Sequence, residues 1–281
     1  MENILEIRNL NKNYKDFKLK DINIVLPKGM IMGFIGENGA GKTTTIKCIL
    51  GIINNYDGEI IILDNRINSN EDDIGVVLDD MFFPEILSPK DIDIIMSGIY
   101  KTWDRDLFYK YLNDFSLPLD KQIKTFSKGM RKKLEIATAL AHRPKLLILD
   151  EPTSGLDPVT RGEILDIFRD FIQDAEHSIL FSSHITSDLE HIADYICFIN
   201  NGEVILSKTK DEIIDEYGVV RVTEQEFEKI DSNDYLKYIN NKYDYELLVS
   251  DKNKFKRKYK FASIDKLSLD EFMILMIKGV K

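Results

Sequence analysis

The 281-residue sequence lacks the features of several specialised protein classes. It has only two cysteines, Cys48 and Cys197, which lie far apart and outside any Cys-x-x-Cys or Cys/His spacing. We therefore expect two reduced thiols in the core of an intracellular protein. No apolar run approaches the ~18 residues that a transmembrane helix needs, so a membrane span would have to come from another chain. The first residues also lack the basic and apolar segments of a secretory signal peptide.

Positive charge is scarce as well. The 38 Lys and Arg residues face 48 Asp and Glu residues, which gives a formal net charge of −10. This balance argues against general nucleic-acid binding, which usually needs a basic surface. It leaves room for a local anion site, because backbone N–H groups and one lysine can hold a phosphate. The apolar fraction of 43% is ordinary for a globular chain that buries a core in one large or two modest domains.

Apolar patterning predicts an α/β fold with a mostly parallel sheet. Alternation of apolar and polar residues at 5–14 and 21–29 predicts two half-buried antiparallel strands. Continuous apolar runs predict buried strands that alternate with helices, which is typical of a parallel sheet. An Asn-Gly pair within 196–206 predicts a hairpin. The further strands are expected at 31–36, 58–64, 74–79, 145–150 and 178–184, and the helices between them near 42–53 and 158–175.

Two regions depart from this alternation. Between about 85 and 142 the pattern is helical, with amphipathic helices at 88–100 and 128–141, which predicts a helical subdomain inserted between two strands of the sheet. After about 208 the composition changes, and 221–260 is rich in Lys, Asp, Asn and Tyr, which predicts a small α+β extension. Within it, 252–261 alternates lysines with aromatic residues, as expected of an extended strand with a charged edge. Attraction of these lysines to an anionic membrane surface is the alternative.

A glycine-rich loop carries the strongest chemical signal. Residues 36–43, GENGAGKT, fit G-x-x-x-x-G-K-[ST] and lie between a predicted buried strand and a predicted helix. The glycines let successive backbone N–H groups turn inward around phosphates, and the helix N-terminus adds partial positive charge. We expect Lys42 to reach the β- and γ-phosphates and the Thr43 hydroxyl to bind Mg²⁺. The nucleotide-binding residues are then Gly36, Glu37, Asn38, Gly39, Ala40, Gly41, Lys42, Thr43 and Thr44.

Two carboxylates end the later apolar run LLILDE at 146–151. A buried parallel strand delivers its last residues to the edge of the sheet where α/β proteins bind ligands. Asp150 is expected to be the carboxylate on the Mg²⁺ side, and Glu151 to accept a proton from an attacking water. A pair of helix-capping carboxylates is the alternative.

With these segments in this order, residues 1–210 resemble the nucleotide-binding subunits of ATP-binding cassette (ABC) transporters. FSKGM at 126–130 looks like the signature sequence of the family, usually LSGGQ, and SGLD at 154–157 matches its D-loop. His184 ends SSH at the place of the switch histidine, and Tyr14 is similar to the aromatic residue that stacks on adenine. The resemblance implies an α/β P-loop ABC ATPase core with a mostly parallel sheet, an antiparallel β subdomain and the inserted helical subdomain. Residues 211–281 would form the small C-terminal α+β extension.

The resemblance also implies a mechanism and partners. Two subunits, identical or different, sandwich two ATP molecules, and Ser127 and Gly129 of one subunit contact the γ-phosphate held by the other. Lys42, Glu151 and His184 are then the catalytic residues, with His184 holding the γ-phosphate and the water near Glu151. The subunit drives a separate transmembrane permease and lies on the cytoplasmic face of the cell membrane, which it contacts only through that permease. The implied cofactors are ATP and Mg²⁺, and no nucleic acid is involved.

Three positions depart from the family pattern. Lys128 stands where a glycine is usual, either adding an attractive charge or projecting into solvent, and Met130 replaces a glutamine. Asp79 occupies the place of the Q-loop glutamine, and is either a metal ligand or only a turn residue. An acidic residue here resembles the branch of bacitracin-type and other peptide or drug exporters, as do SKGM and the closing segment 267–279.

Apolar residues follow Asp79, and two interpretations stay open for them. They form part of a groove for the coupling helix of the permease, or they pack the helical subdomain. These residues are Met81, Phe82, Phe83 and Ile86. For the whole chain, the alternative to a transporter subunit is a soluble, non-transport ABC-type ATPase that acts in assembly or regulation.

Overall fold

The computed structural model describes residues 2–63, 65–66, 71–79 and 83–281, and two compact units divide the chain, Met1–Ile205 and Leu206–Lys281. The strands of the first unit are β1 (Asn3–Asn13), β2 (Lys18–Pro27), β3 (Ile31–Ile35), β4 (Asp57–Ile62), β5 (Asn65–Arg66), β6 (Ile74–Val77), β7 (Leu146–Asp150), β8 (Ser178–Ser183) and β9 (Tyr195–Asn200). Its helices are α1 (Lys42–Ile49), α2 (Pro89–Ile99), α3 (Arg105–Asp114), α4 (Lys128–Ala141), α5 (Pro158–Phe171) and α6 (Thr186–Ile192), with short 3₁₀ turns at Glu71–Asp73 and Ile123–Thr125. The boundary between the units falls within β10 (Glu203–Thr209).

The first sheet is antiparallel and has the order β2-β1-β4-β5. Its central strand β1 pairs antiparallel with β2 and with β4, and Leu5 and Ile7 lie opposite Ile62 and Ile60. Apolar side chains of β1 and β2 are buried between exposed polar ones, with breaks in the alternation where the register of the pair shifts. The expected antiparallel pair is therefore confirmed, and the strand expected at 58–64 joins it rather than the parallel sheet.

The second sheet positions the chemistry and has the order β10-β9-β3-β8-β7-β6. Parallel pairing joins β6 to β7, β7 to β8, β8 to β3, and β3 to β9. Every residue of β3, β7 and β8 is buried, which explains their continuous apolar runs. Register places Ile35 beside Ser183, and Asp150 beside Ser182. The segments that follow these three strands therefore meet at one edge of the sheet.

The block between β6 and β7 is helical and has its own core. Helix α2 begins with a capping box in which the Ser88 hydroxyl accepts from the Asp91 N–H, and Pro89 stands in its first turn. Apolar side chains of α2, α3 and α4 pack together, among them Ile92, Phe108 and Leu134. Among the described residues, no helix is long and apolar enough to cross a membrane.

The second unit contains a separate antiparallel sheet of order β12-β13-β11-β14. Its elements are α7 (Lys210–Glu216), β11 (Gly218–Val222), α8 (Glu224–Phe227), β12 (Lys237–Asn240), β13 (Tyr245–Val249), α9 (Lys252–Lys258), β14 (Ile264–Asp265) and α10 (Leu269–Lys278). The expected strand at 252–261 is wrong, because 252–258 form helix α9. The Asp251 carboxylate caps it by accepting from the Lys254 N–H at 2.8 Å. Phe255 and Tyr259, four residues apart, are both buried, since that spacing puts them on one helix face.

Candidate active site

A cavity of ≈ 360 Å³ lies beside the glycine-rich loop and the end of β7. We call it the phosphate-loop cavity. Its walls combine the loop, the first turn of α1 and residues from three other parts of the chain. They are Phe17, Glu37, Asn38, Gly39, Gly41, Lys42, Thr43, Thr44, Asp79 and Glu151. Seven of these are predicted nucleotide-binding residues, and Glu151 is the predicted base. Asp79 is the residue for which a metal ligand and a turn residue were the alternatives, and Phe17 was not predicted.

The loop backbone requires glycine at specific places. Gly39 and Gly41 have φ values of 83° and 117°, which L side chains rarely adopt. A Cβ atom on Gly41 would also lie only 2.7 Å from Cδ2 of Leu19. At Gly36 a Cβ would lie 2.4 Å from the carbonyl oxygen of Ile199. The loop thus approaches its neighbours closely, and α1 begins directly after it at Lys42.

The ammonium group of Lys42 is buried at the mouth of the loop, with 5% of the residue exposed. Its Nζ donates to the carbonyl oxygens of Gly36 at 2.7 Å and of Glu37 at 3.3 Å. It also lies 3.4 Å from Oε1 of Glu151. One cation therefore joins the glycine-rich loop to the carboxylate after β7, and a phosphate held by the loop amides would meet this same charge.

Asp150 is buried and its two carboxylate oxygens each accept from a hydroxyl group. Oδ2 accepts from the Thr43 hydroxyl at 2.8 Å, and Oδ1 accepts from the Ser182 hydroxyl. Carboxylate and hydroxyl oxygens are the hard ligands that Mg²⁺ prefers, so this pair fits a magnesium ion. In the described part of the chain, no group of three or more His, Cys, Asp or Glu side chains could hold a metal ion.

Glu151 and His184 meet at the ends of the neighbouring strands β7 and β8. His184 Nδ1 lies 2.7 Å from Oε2 of Glu151. Because a carboxylate only accepts, Nδ1 carries the proton and the Nε2 atom is at the opposite edge of the ring. Oε1 of Glu151 is buried, and among the described residues no group donates a hydrogen bond to it, although Lys42 Nζ lies 3.4 Å away. Glu151 also has a φ of 50°, a strained value for a non-glycine residue that its neighbours must maintain.

The aromatic residue at this cavity is Phe17, in the turn between β1 and β2. Gly41 packs against it, since a Cβ on Gly41 would lie 3.0 Å from Cζ of Phe17. Tyr14 is not among the lining residues; it is 44% exposed, and Lys12 Nζ lies 5.0 Å from its ring centroid. The Tyr14 N–H donates to the Phe17 carbonyl at 2.8 Å, so one turn holds both rings. In the sequence, the only feature that links Phe17 to this site is its position three residues after Tyr14.

Ser127 and Gly129 line a different cavity, of ≈ 270 Å³. We call it the signature cavity. Ser127 caps α4, its hydroxyl accepting from the Met130 N–H at 3.2 Å. The Lys128 side chain is exposed and leans over Gly155, where a Cβ would lie 2.5 Å from its Nζ. The full lining is Phe115, Ser127, Lys128, Gly129, Met130, Lys133, Gly155, Leu156, Asp157 and Thr160.

Other predicted residues lie in more varied places. Four of them do not line the phosphate-loop cavity but are adjacent in the chain, or hydrogen-bonded, to residues that do. They are Gly36, Ala40, Asp150 and His184. Phe83 is half-buried against the core of the helical block, whereas Ile86 is 69% exposed. Met81 and Phe82 lie outside the described residues.

Comparisons with known proteins agree with this geometry. The family model described as "ABC transporter" matches residues 19–154. The chain is 39% identical to the "Lantibiotic transport ATP-binding protein SrtF" of Streptococcus pyogenes over 216 residues, which cover 74% of this chain and 92% of that protein. It is 34% identical to the "Bacitracin transport ATP-binding protein BcrA" of Bacillus licheniformis over 212 residues, covering 73% of this chain and 69% of that protein.

Solved structures give the same answer for the fold. One described as "Structure of ATP binding subunit of ABC transporter" superposes with a TM-score of 0.67 at 29% identity, covering 75% of this chain and 91% of that one. The cbiO1 protein of Clostridium perfringens, described as part of the ABC transporter complex cbiONQ, superposes with a TM-score of 0.63 at 27% identity, covering 76% and 91%. The predicted α/β P-loop ABC ATPase fold is thereby confirmed.

Proposed function

This chain belongs to the ATP-binding subunits of ABC transporters, and from that premise we propose that two such subunits close around two Mg-ATP molecules and drive a separate permease that exports its substrate. As a member of the family, the chain binds and hydrolyses ATP. What we add is the dimer, the role of each residue, the docking surface and the direction of transport.

The separation of two cavities carries the proposal of a dimer. Phosphate-binding residues line the phosphate-loop cavity, whereas Ser127 and Gly129 line the signature cavity of the same chain. The N-terminus of α4, with its partial positive charge, opens at the signature cavity. The two cavities share no lining residue among those described, so in this proposal the Ser127 that meets a γ-phosphate in the first cavity comes from a second subunit. Each site is then completed by its partner, and hydrolysis awaits closure of the dimer.

The residues divide the chemistry between them. The loop amides of 36–43 and the Lys42 ammonium position the phosphates for in-line attack by water. Such positioning and charge stabilisation supply most of the catalysis in phosphoryl transfer. Thr43 and Asp150, with Asp79 across the cavity, would hold Mg²⁺, which when bound neutralises charge on the phosphate oxygens.

Glu151 and His184 act on the attacking water in this proposal. Glu151 takes a proton from the water through Oε1, the oxygen that accepts no hydrogen bond from the described residues and lies 3.4 Å from Lys42 Nζ. His184 holds Glu151 through Nδ1 and presents the opposite edge of its ring to the γ-phosphate. We assign the aromatic face for the adenine to Tyr14, with Phe17 beside the loop as a second ring at the same turn.

An exposed apolar surface supports the proposal that a permease docks on the helical block. Four isoleucines from α2 and the segment before it are exposed by 42% to 69%, which is unusual for side chains so large and apolar. They are Ile86, Ile94, Ile95 and Ile99. Beside them, a cavity of ≈ 150 Å³ is lined by Phe83, Met96 and Tyr100 among others, and we call it the docking cavity. A coupling helix seated there would hold the subunit on the inner face of the cell membrane.

The direction of transport and the domain roles rest on the relatives and on composition. The relatives named for lantibiotic and bacitracin transport support export of a peptide or drug. We propose that residues 1–210 form the ABC ATPase domain and that 211–281 form an accessory region.

The dimer is tested by trapping it. Glu151→Gln with ATP and Mg²⁺ should elute at twice the mass of the 32.6 kDa subunit in light-scattering chromatography. Adding Ser127→Arg to this variant should leave it monomeric, because the bulky cation blocks the contact across the interface. A monomer in the first experiment, or a dimer in the second, would contradict the arrangement. Purification from membranes together with a permease, rather than alone, separates a transporter subunit from a free-standing ATPase.

A further inference from the structure

A buried lysine on α4 holds the backbone beside the phosphate-loop cavity. Lys132 is 5% exposed, and its Nζ donates to the carbonyl oxygen of Leu78 at 2.9 Å. Leu78 follows the last residue of β6 and has no place in the ladder with β7, which ends at Val77 opposite Leu149. The lysine therefore supplies the hydrogen bond that this buried carbonyl needs. The same peptide group contains the N–H of Asp79, whose side chain lines the phosphate-loop cavity.

Glu135 makes the burial of Lys132 possible. Its Oε2 lies 2.7 Å from Lys132 Nζ, one helical turn away, and the residue is 8% exposed. A buried ammonium without a carboxylate would be strongly disfavoured. Burial raises the pKa of the Glu135 carboxyl, Lys132 lowers it, and the Asp79 carboxylate raises it again. The two acids are thus close enough to repel, with Lys132 neutralising one of them.

The pair stands between two cavities. Leu78 and Glu135 line the docking cavity, while Asp79, the next residue, lines the phosphate-loop cavity. Helix α4, which carries the pair, begins at the signature residues. Two short contacts link α4 to Asp79: Glu135 lies 2.7 Å from Lys132 Nζ, and Lys132 Nζ lies 2.9 Å from the Leu78 carbonyl oxygen. Leu78 and Asp79 are adjacent in the chain.

We propose that Lys132 and Glu135 are positioning residues of the ATPase, which hold the Leu78–Asp79 peptide so that the Asp79 carboxylate faces the bound nucleotide. The inference rests on the proposed role of Asp79 at the Mg²⁺ and phosphates. Lys132 itself touches neither: it acts through the peptide group. Its loss should therefore change turnover and Mg²⁺ dependence while leaving ATP binding by the loop intact.

The experiment replaces the buried pair by apolar side chains of similar size, Lys132→Met with Glu135→Leu in one variant. Such replacements of a buried ion pair usually preserve the fold. The thermal midpoint should fall only modestly, because the Leu78 carbonyl loses its donor. We expect kcat to fall about tenfold, the effect of one lost hydrogen bond from a charged group, and half-saturation by Mg²⁺ to need more metal. Affinity for a fluorescent ATP analogue should change by less than about twofold.

The control is Lys145→Met. Lys145 pairs with Asp73 at 3.3 Å beside the other end of the same strand, β6, and its ion-pair partner in the described part of the chain is no proposed site residue. Its loss should leave kcat and Mg²⁺ dependence unaltered. Equal losses in this control and in the Lys132/Glu135 variant would show that any disturbance of β6 has the same effect, and would overturn the proposal.

A mutant cycle with Asp79→Ala decides whether the pair acts through Asp79. If it does, the paired replacement costs no further activity in the Asp79→Ala background. Losses that multiply would overturn the proposal. If Asp79→Ala alone is fully active, the proposed metal role of Asp79 fails. Hydrogen exchange at the Asp79 amide then still tests the link, because it should quicken at least tenfold in the paired variant and not in Lys145→Met; unchanged exchange would refute it.

Discussion

Replacing Glu151 by glutamine separates binding from catalysis at this site. The amide has the size of the carboxylate and can still accept from His184 Nδ1, but it cannot take a proton from water at neutral pH. A positioned general base contributes about 10²–10⁴-fold to a rate, which corresponds to about 3–5 kcal/mol of the activation barrier. We therefore expect kcat for ATP hydrolysis to fall at least about 100-fold.

The same replacement should preserve or strengthen the binding of ATP, although it slows hydrolysis. In the wild type, Lys42 Nζ lies 3.4 Å from Oε1 of Glu151 as well as bonding to the loop carbonyls. Removing the negative charge frees this ammonium for phosphate and lessens repulsion of the triphosphate. The dissociation constant of ATP should therefore stay equal or decrease, which a misfolded variant could not imitate.

The assay measures phosphate release and binding of a fluorescent ATP analogue on the same preparation. Glu228→Gln is the matched control, an exposed glutamate of the second unit, and it should leave both unchanged. A Glu151→Gln variant that hydrolyses ATP within about threefold of the wild-type rate would refute the assignment of Glu151 as the base.

Four further changes test other parts of the structure. Lys42→Ala should abolish ATP binding by the loop, and retained micromolar affinity would contradict the phosphate site. Gly41→Ala should weaken ATP binding at least tenfold, because φ of 117° and the contact with Leu19 exclude a methyl group; titration with the fluorescent analogue measures it. Asp79→Asn should raise the Mg²⁺ concentration needed for half-maximal hydrolysis, and an unaltered dependence would mean that Asp79 is no ligand. Asp93→Ala should lower the free energy of unfolding by about 2–4 kcal/mol in urea titrations, because this buried carboxylate accepts from Trp103 Nε1 at 2.9 Å, Arg105 Nε at 3.0 Å and the Tyr109 hydroxyl at 3.2 Å; a loss below 1 kcal/mol would show that water replaces it.

Local sequence patterns predicted those parts of the site whose residues are close together in the chain. The strand before Gly36, the loop and the helix after Lys42 follow from an apolar run, four glycines in nine positions and an amphipathic period. Local patterns also placed Asp150 at the end of a buried strand. They failed at 252–261, where alternating lysines predicted a strand and 252–258 form a helix. Phe255 and Tyr259 are four residues apart and also fit one face of a helix. Their burial in the core of the second unit stabilises the helix rather than the strand.

Contacts between distant residues were decided by the tertiary structure alone. The order of β3, β8 and β7 brings His184 within 2.7 Å of Glu151, although 33 residues separate them. The same is true of Lys132 and the Leu78 carbonyl, 54 residues apart, and of Phe17 beside Gly41. No periodicity specifies such a distance, since side-chain repeats report only which face of an element is buried. The sequence by itself therefore determined the phosphate-binding loop, and the packing of sheet and helices decided which side chains surround it.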